Sequence, residues 1–260
     1  RWYYIEEDGK KAKGLKEIDG KLYFFSNNPM NKYETNEQVR GQLARPYFYI
    51  SFPNRAEDTP TYYFDAETGA AVTNQFVYAD GHWYYFGKDG KALLFDQVIN
   101  GQHLYFDANG RQVKGGFVMN TDGSRSFYHW NTGDKLVSTF FTTGHDRWYY
   151  ADDKGNVVTG AQVINGQKLF FATDGKQVKG DFATNANGSR SYYHGATGNK
   201  LVSTFFTTGD NNWYYADAKG ELVVGEQTIN GQNLYFDQTG KQVKGATAAN
   251  PDGSISYYDV

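Results

Sequence analysis

Cysteine is absent from the 260-residue chain, which removes disulfides, thiol nucleophiles and thiolate metal sites together. An excess of one charge is missing too: 26 Lys and Arg stand against 29 Asp and Glu, for a net charge of −3 spread without runs. This balance offers no electrostatic footprint for a nucleic-acid backbone or an anionic membrane. No apolar run reaches the roughly 18 residues of a membrane span, and no basic, apolar, small-residue sequence opens the chain. The expectation is neither a nucleic-acid partner nor membrane insertion. Because the first residues, RWYY, already lie inside a motif, the chain reads as a fragment cut from something longer.

Apolar residues make up only 39%, mean hydropathy is −0.70 and there are 30 glycines. That composition suits many thin layers better than one thick core. Aromatics, in contrast, reach 18%, with 22 Tyr and 19 Phe. These rings exceed what a core of this length needs, so some are expected to serve another purpose.

The order of the residues is periodic. INGQHLYFDANGRQVKG from Ile99 returns as INGQKLFFATDGKQVKG from Ile164 and as INGQNLYFDQTGKQVKG from Ile229, 65 residues apart each time. Trp83, Trp148 and Trp213 open WYY strings at the same interval, giving units at 83–147, 148–212 and an incomplete one at 213–260. Each unit divides into three segments of about 20 to 23 residues, in which an aromatic run, a polar turn ending in Gly and an aliphatic run follow one another. This pattern predicts an all-β solenoid of short hairpins, about eleven in number, each too small to be stable without its neighbours.

For Leu104 to Lys114, a three-residue turn over Ala108, Asn109 and a left-handed Gly110 would pair Phe106 with Gln112, Tyr105 with Val113 and Leu104 with Lys114. The near-constant Tyr105 and Val113 positions then mark the inner face, and Leu104, Phe106, Gln112 and Lys114 the variable outer one. By the same reading SYYDV, near the end, lacks a partner strand. The stretch 26–61, with four prolines and no clean repeat, is expected to be an irregular insertion of roughly 18 residues.

On the outer face, Gln112 and Lys114, Gln177 and Lys179, and Gln242 and Lys244 recur once per unit. Residues i and i+2 of a strand point the same way, so an amide that donates and accepts stands beside an ammonium with three donors. Such a pair on an exposed strand is equally compatible with a solvated face. Its restriction to one hairpin type per unit favours a binding role. The candidate aromatic partners are Tyr84, Tyr149 and Tyr214 before the motif hairpins and Phe127, Tyr192 and Tyr257 after them, with Tyr105 and Tyr235 as alternatives. Trp83, Trp148 and Trp213 are read as caps of the stack. The five histidines fall at no metal-ligand spacing, and no carboxylate pair is singled out for hydrolysis. The chain is therefore expected to be a binding domain without catalytic residues, metal or cofactor.

WYYADDKGNVVTGAQVINGQKLFFATDGKQVKG followed by SRSYYHGATGNKLVSTFFTTG closely resembles the glucan-binding YG repeats of bacterial glucansucrases, over nearly all of 1 to 25 and 62 to 260. The resemblance implies a β-solenoid, related to choline-binding repeats, that binds α-glucan polysaccharide or isomalto-oligosaccharides with an aromatic platform and Gln-x-Lys. It also implies a secreted, extracellular monomer with cell-wall association, joined in its parent to a sucrose-dependent glucosyltransferase domain. Choline-binding repeats look similar at the WYYF string, but they cage a quaternary ammonium with many tryptophans, and only five occur here. A spacer or attachment arm without sugar selectivity is the competing reading from another class.

Overall fold

The computed structural model describes residues 1–27, 34–45, 60–208, 212–249 and 251–259. These residues contain twenty-two strands, all paired as two-stranded antiparallel sheets, and no helix. The chain divides into two units, Arg1–Leu136 and Val137–Val260. In the first lie β1 (Gly14–Ile18), β2 (Lys21–Phe25), β3 (Gln42–Ala44), β4 (Tyr62–Phe64), β5 (Gln75–Ala79), β6 (His82–Phe86), β7 (Phe95–Ile99), β8 (Gln102–Phe106), β9 (Gly116–Met119) and β10 (Arg125–Tyr128). The second holds β11 (Thr139–Thr142), β12 (Trp148–Ala151), β13 (Gly160–Ile164), β14 (Gln167–Phe171), β15 (Asp181–Thr184), β16 (Arg190–Tyr193), β17 (Thr204–Thr207), β18 (Trp213–Ala216), β19 (Gly225–Ile229), β20 (Gln232–Phe236), β21 (Ala246–Ala249) and β22 (Ile255–Tyr258).

The hairpins are out of phase with the sequence reading. β7 and β8 are closed by Asn100 and Gly101, at φ of 51° and 80°, with Ile99 opposite Gln102. Two consecutive left-handed residues make the type I′ turn whose twist matches the flanking strands. Asn165-Gly166 and Asn230-Gly231 repeat it, and Asp19-Gly20 and Asp80-Gly81 are its aspartate forms. Leu104 consequently pairs with Gln97 across this hairpin and not with Lys114. The turn at Ala108 to Gly110 exists, with Gly110 at φ 80° and the Asp107 N–H bonded to the Arg111 carbonyl at 2.8 Å, but the pairing beyond it is limited to the bridge Phe106–Gln112 and the Val113 N–H to Tyr105 carbonyl bond of 2.8 Å. Gly110 has a second reason to lack a side chain, because a Cβ there would stand 3.0 Å from the Cβ of Ala92 in the preceding hairpin.

The assignment of faces is also reversed. Leu104 and Phe106 are 1% and 0% exposed and form the core with Ile99, against which Phe76, Tyr85 and Leu93 pack, while Tyr105 and Val113 are only half-buried. In the second unit Ile164, Leu169 and Phe171 make the same small cluster. The core is thus divided into small clusters along the chain, such as Phe24, Val39, Ala44, Tyr62 and Phe64, and Val72, Tyr84 and Phe86. SYYDV does have a partner, since β22 pairs with β21. Of the stretch 26–61, residues 28–33 and 46–59 lie outside the described residues; the remainder supplies β3, which pairs with β4.

Successive hairpins are joined through the segment that follows each Gly turn. The Gln112 N–H donates to the Trp83 carbonyl of β6 at 2.8 Å, and the Lys135 N–H to the His103 carbonyl of β8 at 2.8 Å. In the second unit Gln177 to Trp148, Lys200 to Lys168, Leu222 to Arg190 and Gln242 to Trp213 repeat the step at 2.7 to 2.8 Å. One amide per step therefore fixes the register between neighbours, the behaviour expected of a solenoid.

Candidate functional site

The amide that links neighbours also builds the site. Because Gln112 N–H is tied to the Trp83 carbonyl, the side chains of Gln112 and Lys114 emerge beside the indole of Trp83. Lys114 Nζ stands 5.5 Å from the Trp83 ring centroid and donates to the Asn131 carbonyl at 3.0 Å. Gln112 Nε2 donates to the Thr132 carbonyl at 3.3 Å. The Asn131 to Gly133 turn closes over this amide, and Gly133, at φ 73°, leaves the space in which it lies.

The second copy repeats the arrangement within its own unit. Lys179 Nζ is 5.4 Å from the Trp148 centroid, Gln177 is buried, and Gly198, at φ 71°, replaces Gly133 over its amide. A cleft of ≈ 700 Å³ opens here, lined by His145, Asp146, Trp148, Gln177, Lys179 and Gly195 among others. His145 and Asp146 both take positive φ, 50° and 55°, in the turn that joins β11 to β12. In the third copy Lys244 Nζ stands 5.2 Å from the Trp213 centroid, and Lys244 also lines a cleft of ≈ 620 Å³ with Gln242, Gln232 and Tyr257.

Of the rings expected as the platform, Tyr257 lines the third cleft with Gln242 and Lys244 and is exposed, whereas the tyrosines that precede the motif hairpins point inward. Tyr84, Tyr149 and Tyr214 are 3%, 6% and 7% exposed, because they follow the tryptophans by one residue and so point to the opposite side of β6, β12 and β18. The indoles of Trp83, Trp148 and Trp213 take the outer position and remain partly open to solvent. Tyr105 and Tyr235 sit against Tyr128 and Tyr258 at 5.8 Å and 5.5 Å. Tyr192 stacks on Phe206 at 4.6 Å and 27°. Burial, then Asp96 and Asp107, holds the Tyr105 phenol above its ordinary range; burial and Asp181 do the same for Tyr192. The tryptophans beside the lysines, read from the sequence as caps of the stack, keep the 65-residue interval of the Gln-x-Lys pairs.

An aromatic face beside an amide and an ammonium suits a neutral, hydroxyl-rich ring with an apolar face. It does not suit a free cation, because each lysine already holds the ammonium position over its indole. Among the described residues no cluster of His, Asp and Glu could hold a metal ion.

Residues 97–140, 158–205 and 223–260 match the choline-binding repeat family, and 74–92 and 203–222 match the putative cell wall binding repeat. Glucosyltransferase-S of Streptococcus mutans serotype c is 39% identical over 100% of this chain, which corresponds to 16% of that protein. Glucosyltransferase-I of Streptococcus downei is 35% identical over 99% of the chain and 22% of its own length. The chain thus spans about a sixth to a fifth of the curated relatives it matches. Choline binding protein F from Streptococcus pneumoniae has the same fold, with a TM-score of 0.63, 18% identity, and coverage of 98% of this chain and 95% of that one. The repeat match, extending over half of the chain, and the hairpin architecture agree: the chain belongs to the choline-binding repeat family.

Proposed function

We propose that the chain is a non-catalytic module that binds an α-linked glucose polymer through the repeated Trp, Gln and Lys sites, and that in its parent it keeps a glucosyltransferase on its product. The observation that carries the reading is the threefold recurrence of one geometry, with the lysine ammonium 5.2 to 5.5 Å from the indole centroid beside a glutamine amide. The indole covers the C–H face of a pyranose, and Gln and Lys bond its equatorial hydroxyls. Similarity along the whole of this chain to part of the streptococcal glucosyltransferases supports glucan as the polymer. Matches to cell wall binding repeats support an extracellular or wall-associated module.

Repetition has an energetic reason. A site with a Kd of about 1 mM contributes about −4.1 kcal/mol, too little to hold a chain for long. Several such sites on one polymer raise avidity by roughly 10² to 10⁴ where they engage simultaneously. The test is mobility in native gels cast with dextran, starch or an α-1,3-glucan. Retardation in dextran that a Lys114/Lys179/Lys244→Ala triple variant loses is the expected outcome. Unchanged mobility in every glucan would refute the reading in favour of an attachment arm.

A further inference from the structure

We infer a fourth site of the same design in the first unit, built from Trp2, Gln38, Arg40 and Gly69, with arginine where the other sites have lysine. The inference rests on the glucan-binding reading and extends it to a stretch that the repeat pattern leaves out. The sequence hides this site because residues 28–33 and 46–59 interrupt the periodicity on either side of Gln38-Val39-Arg40.

The main chain supports it bond by bond. Gln38 N–H donates to the Trp2 carbonyl at 2.9 Å, as Gln112 does to Trp83. Gln38 bridges to Phe25 as Gln112 bridges to Phe106, and Val39 N–H donates to Phe24 as Val113 does to Tyr105. Gly41 N–H reaches the Phe64 carbonyl as Gly115 reaches that of Tyr128, and Gly69 N–H reaches Asp65 as Gly133 reaches His129.

The side chains follow. Arg40 Cζ lies 4.7 Å from the Trp2 ring centroid, and its Nη1 donates to the Glu67 carbonyl at 2.7 Å, the part played by Lys114 Nζ with Asn131. Gly69, at φ 73°, closes over Gln38 as Gly133 does over Gln112; a Cβ there would stand 2.7 Å from the Gln38 amide. The substitution changes the chemistry in one respect. Arg40 Nε also donates to Gln38 Oε1 at 2.7 Å, so a planar, permanently charged fork holds the glutamine with its Nε2 as the remaining donor. The Trp2 indole, like those of Trp83, Trp148 and Trp213, is open to solvent. The ligand is the same class, a neutral glucose oligomer, held with one fewer amide acceptor.

The five tryptophan indole N–H signals of the whole 260-residue chain report the sites separately by NMR, once assigned with single Trp→Phe variants. Isomaltotriose and the α-1,3-linked nigerotriose serve as probes. The expected result is a saturable shift of the Trp2 signal alongside those of Trp83, Trp148 and Trp213, with dissociation constants within about tenfold of one another. Arg40→Ala should abolish the Trp2 response alone, and Arg40→Lys should retain it. Shifts at Trp83, Trp148 and Trp213 with Trp2 unmoved in the parent chain would overturn the fourth site and leave the glucan-binding reading standing. A Trp2 shift without the other three would overturn that reading and keep this site; no shift at any indole with either probe would overturn both.

Discussion

Replacing Gly198 by alanine should weaken the second site without dismantling the fold that carries it. The new Cβ would overlap Gln177 Nε2 and stand 3.1 Å from Gln177 Cδ and 3.2 Å from Lys179 Cγ. Carbon contacts prefer about 3.5 to 4.0 Å, so both side chains must retreat by roughly 0.5 to 1 Å. That displacement removes one or two hydrogen bonds to a bound sugar at about 1 kcal/mol each, which corresponds to a roughly 5- to 30-fold rise in Kd. Alanine at φ 71° carries its own cost of about 1 to 2 kcal/mol in the left-handed region. Gly188→Ala supplies the control, since Gly188 has φ 86° and nothing within 4 Å of its Cβ. Both variants should lose thermal stability, Gly198→Ala the more because of its overlap, and only Gly198→Ala should lose isomaltotriose affinity at the Trp148 indole signal. Parent-like affinity in Gly198→Ala would show that Gln177 and Lys179 do not contact the sugar, and equal loss in both variants would show that the effect is conformational.

Other outcomes follow from the packing. Tyr128 is buried and its hydroxyl donates to Asp96 Oδ1 at 2.9 Å, so Asp96→Ala should cost about 1 to 3 kcal/mol, read by hydrogen exchange over β7 to β10. Burial first, then Asp96, holds the Tyr128 phenol well above its ordinary range. A folded-state proton bound more tightly than in the unfolded chain stabilises fully below about pH 10, and that contribution fades as pH climbs beyond it; denaturant melts from pH 9 to 12 check the sign. Phe106→Ala empties a fully buried position and should cost about 3 to 5 kcal/mol, with faster amide exchange across β7 and β8. Millimolar choline should leave the Trp83, Trp148 and Trp213 signals in place, because a lysine ammonium already lies over each ring.

Much of this was legible in the residues. The 65-residue interval, the three segments per unit, the left-handed Gly110 and the Phe106–Gln112 pair all follow from spacing and turn chemistry. The phase of the hairpins did not follow, although Asn100-Gly101 carried the strongest short-range hairpin signal. Alternation separates two faces but does not say which is inside; Leu104 and Tyr105 both fit either assignment, and only packing against the neighbouring layer decides. The same one-position ambiguity placed Tyr84 on the outer face, where the structure has Trp83. The proposed fourth site escaped because the sequence over 28–33 and 46–59 breaks the period, while the backbone bonds around Gln38 match those around Gln112.

The single amide bond from Gln112 to Trp83 and its counterparts also bear on how such a chain is inherited. The partners across a tight hairpin, Phe95 and Phe106 at the widest, are eleven residues apart, and the step to the preceding hairpin reaches back 29, from Gln112 to Trp83. Nothing in that step depends on distant parts of the chain. A gene segment encoding 65 residues, duplicated or deleted in frame, therefore adds or removes one Trp, Gln and Lys cluster and leaves its neighbours' partners in place. Copy number becomes a heritable control of grip, adjustable in whole units without redesign of any interface.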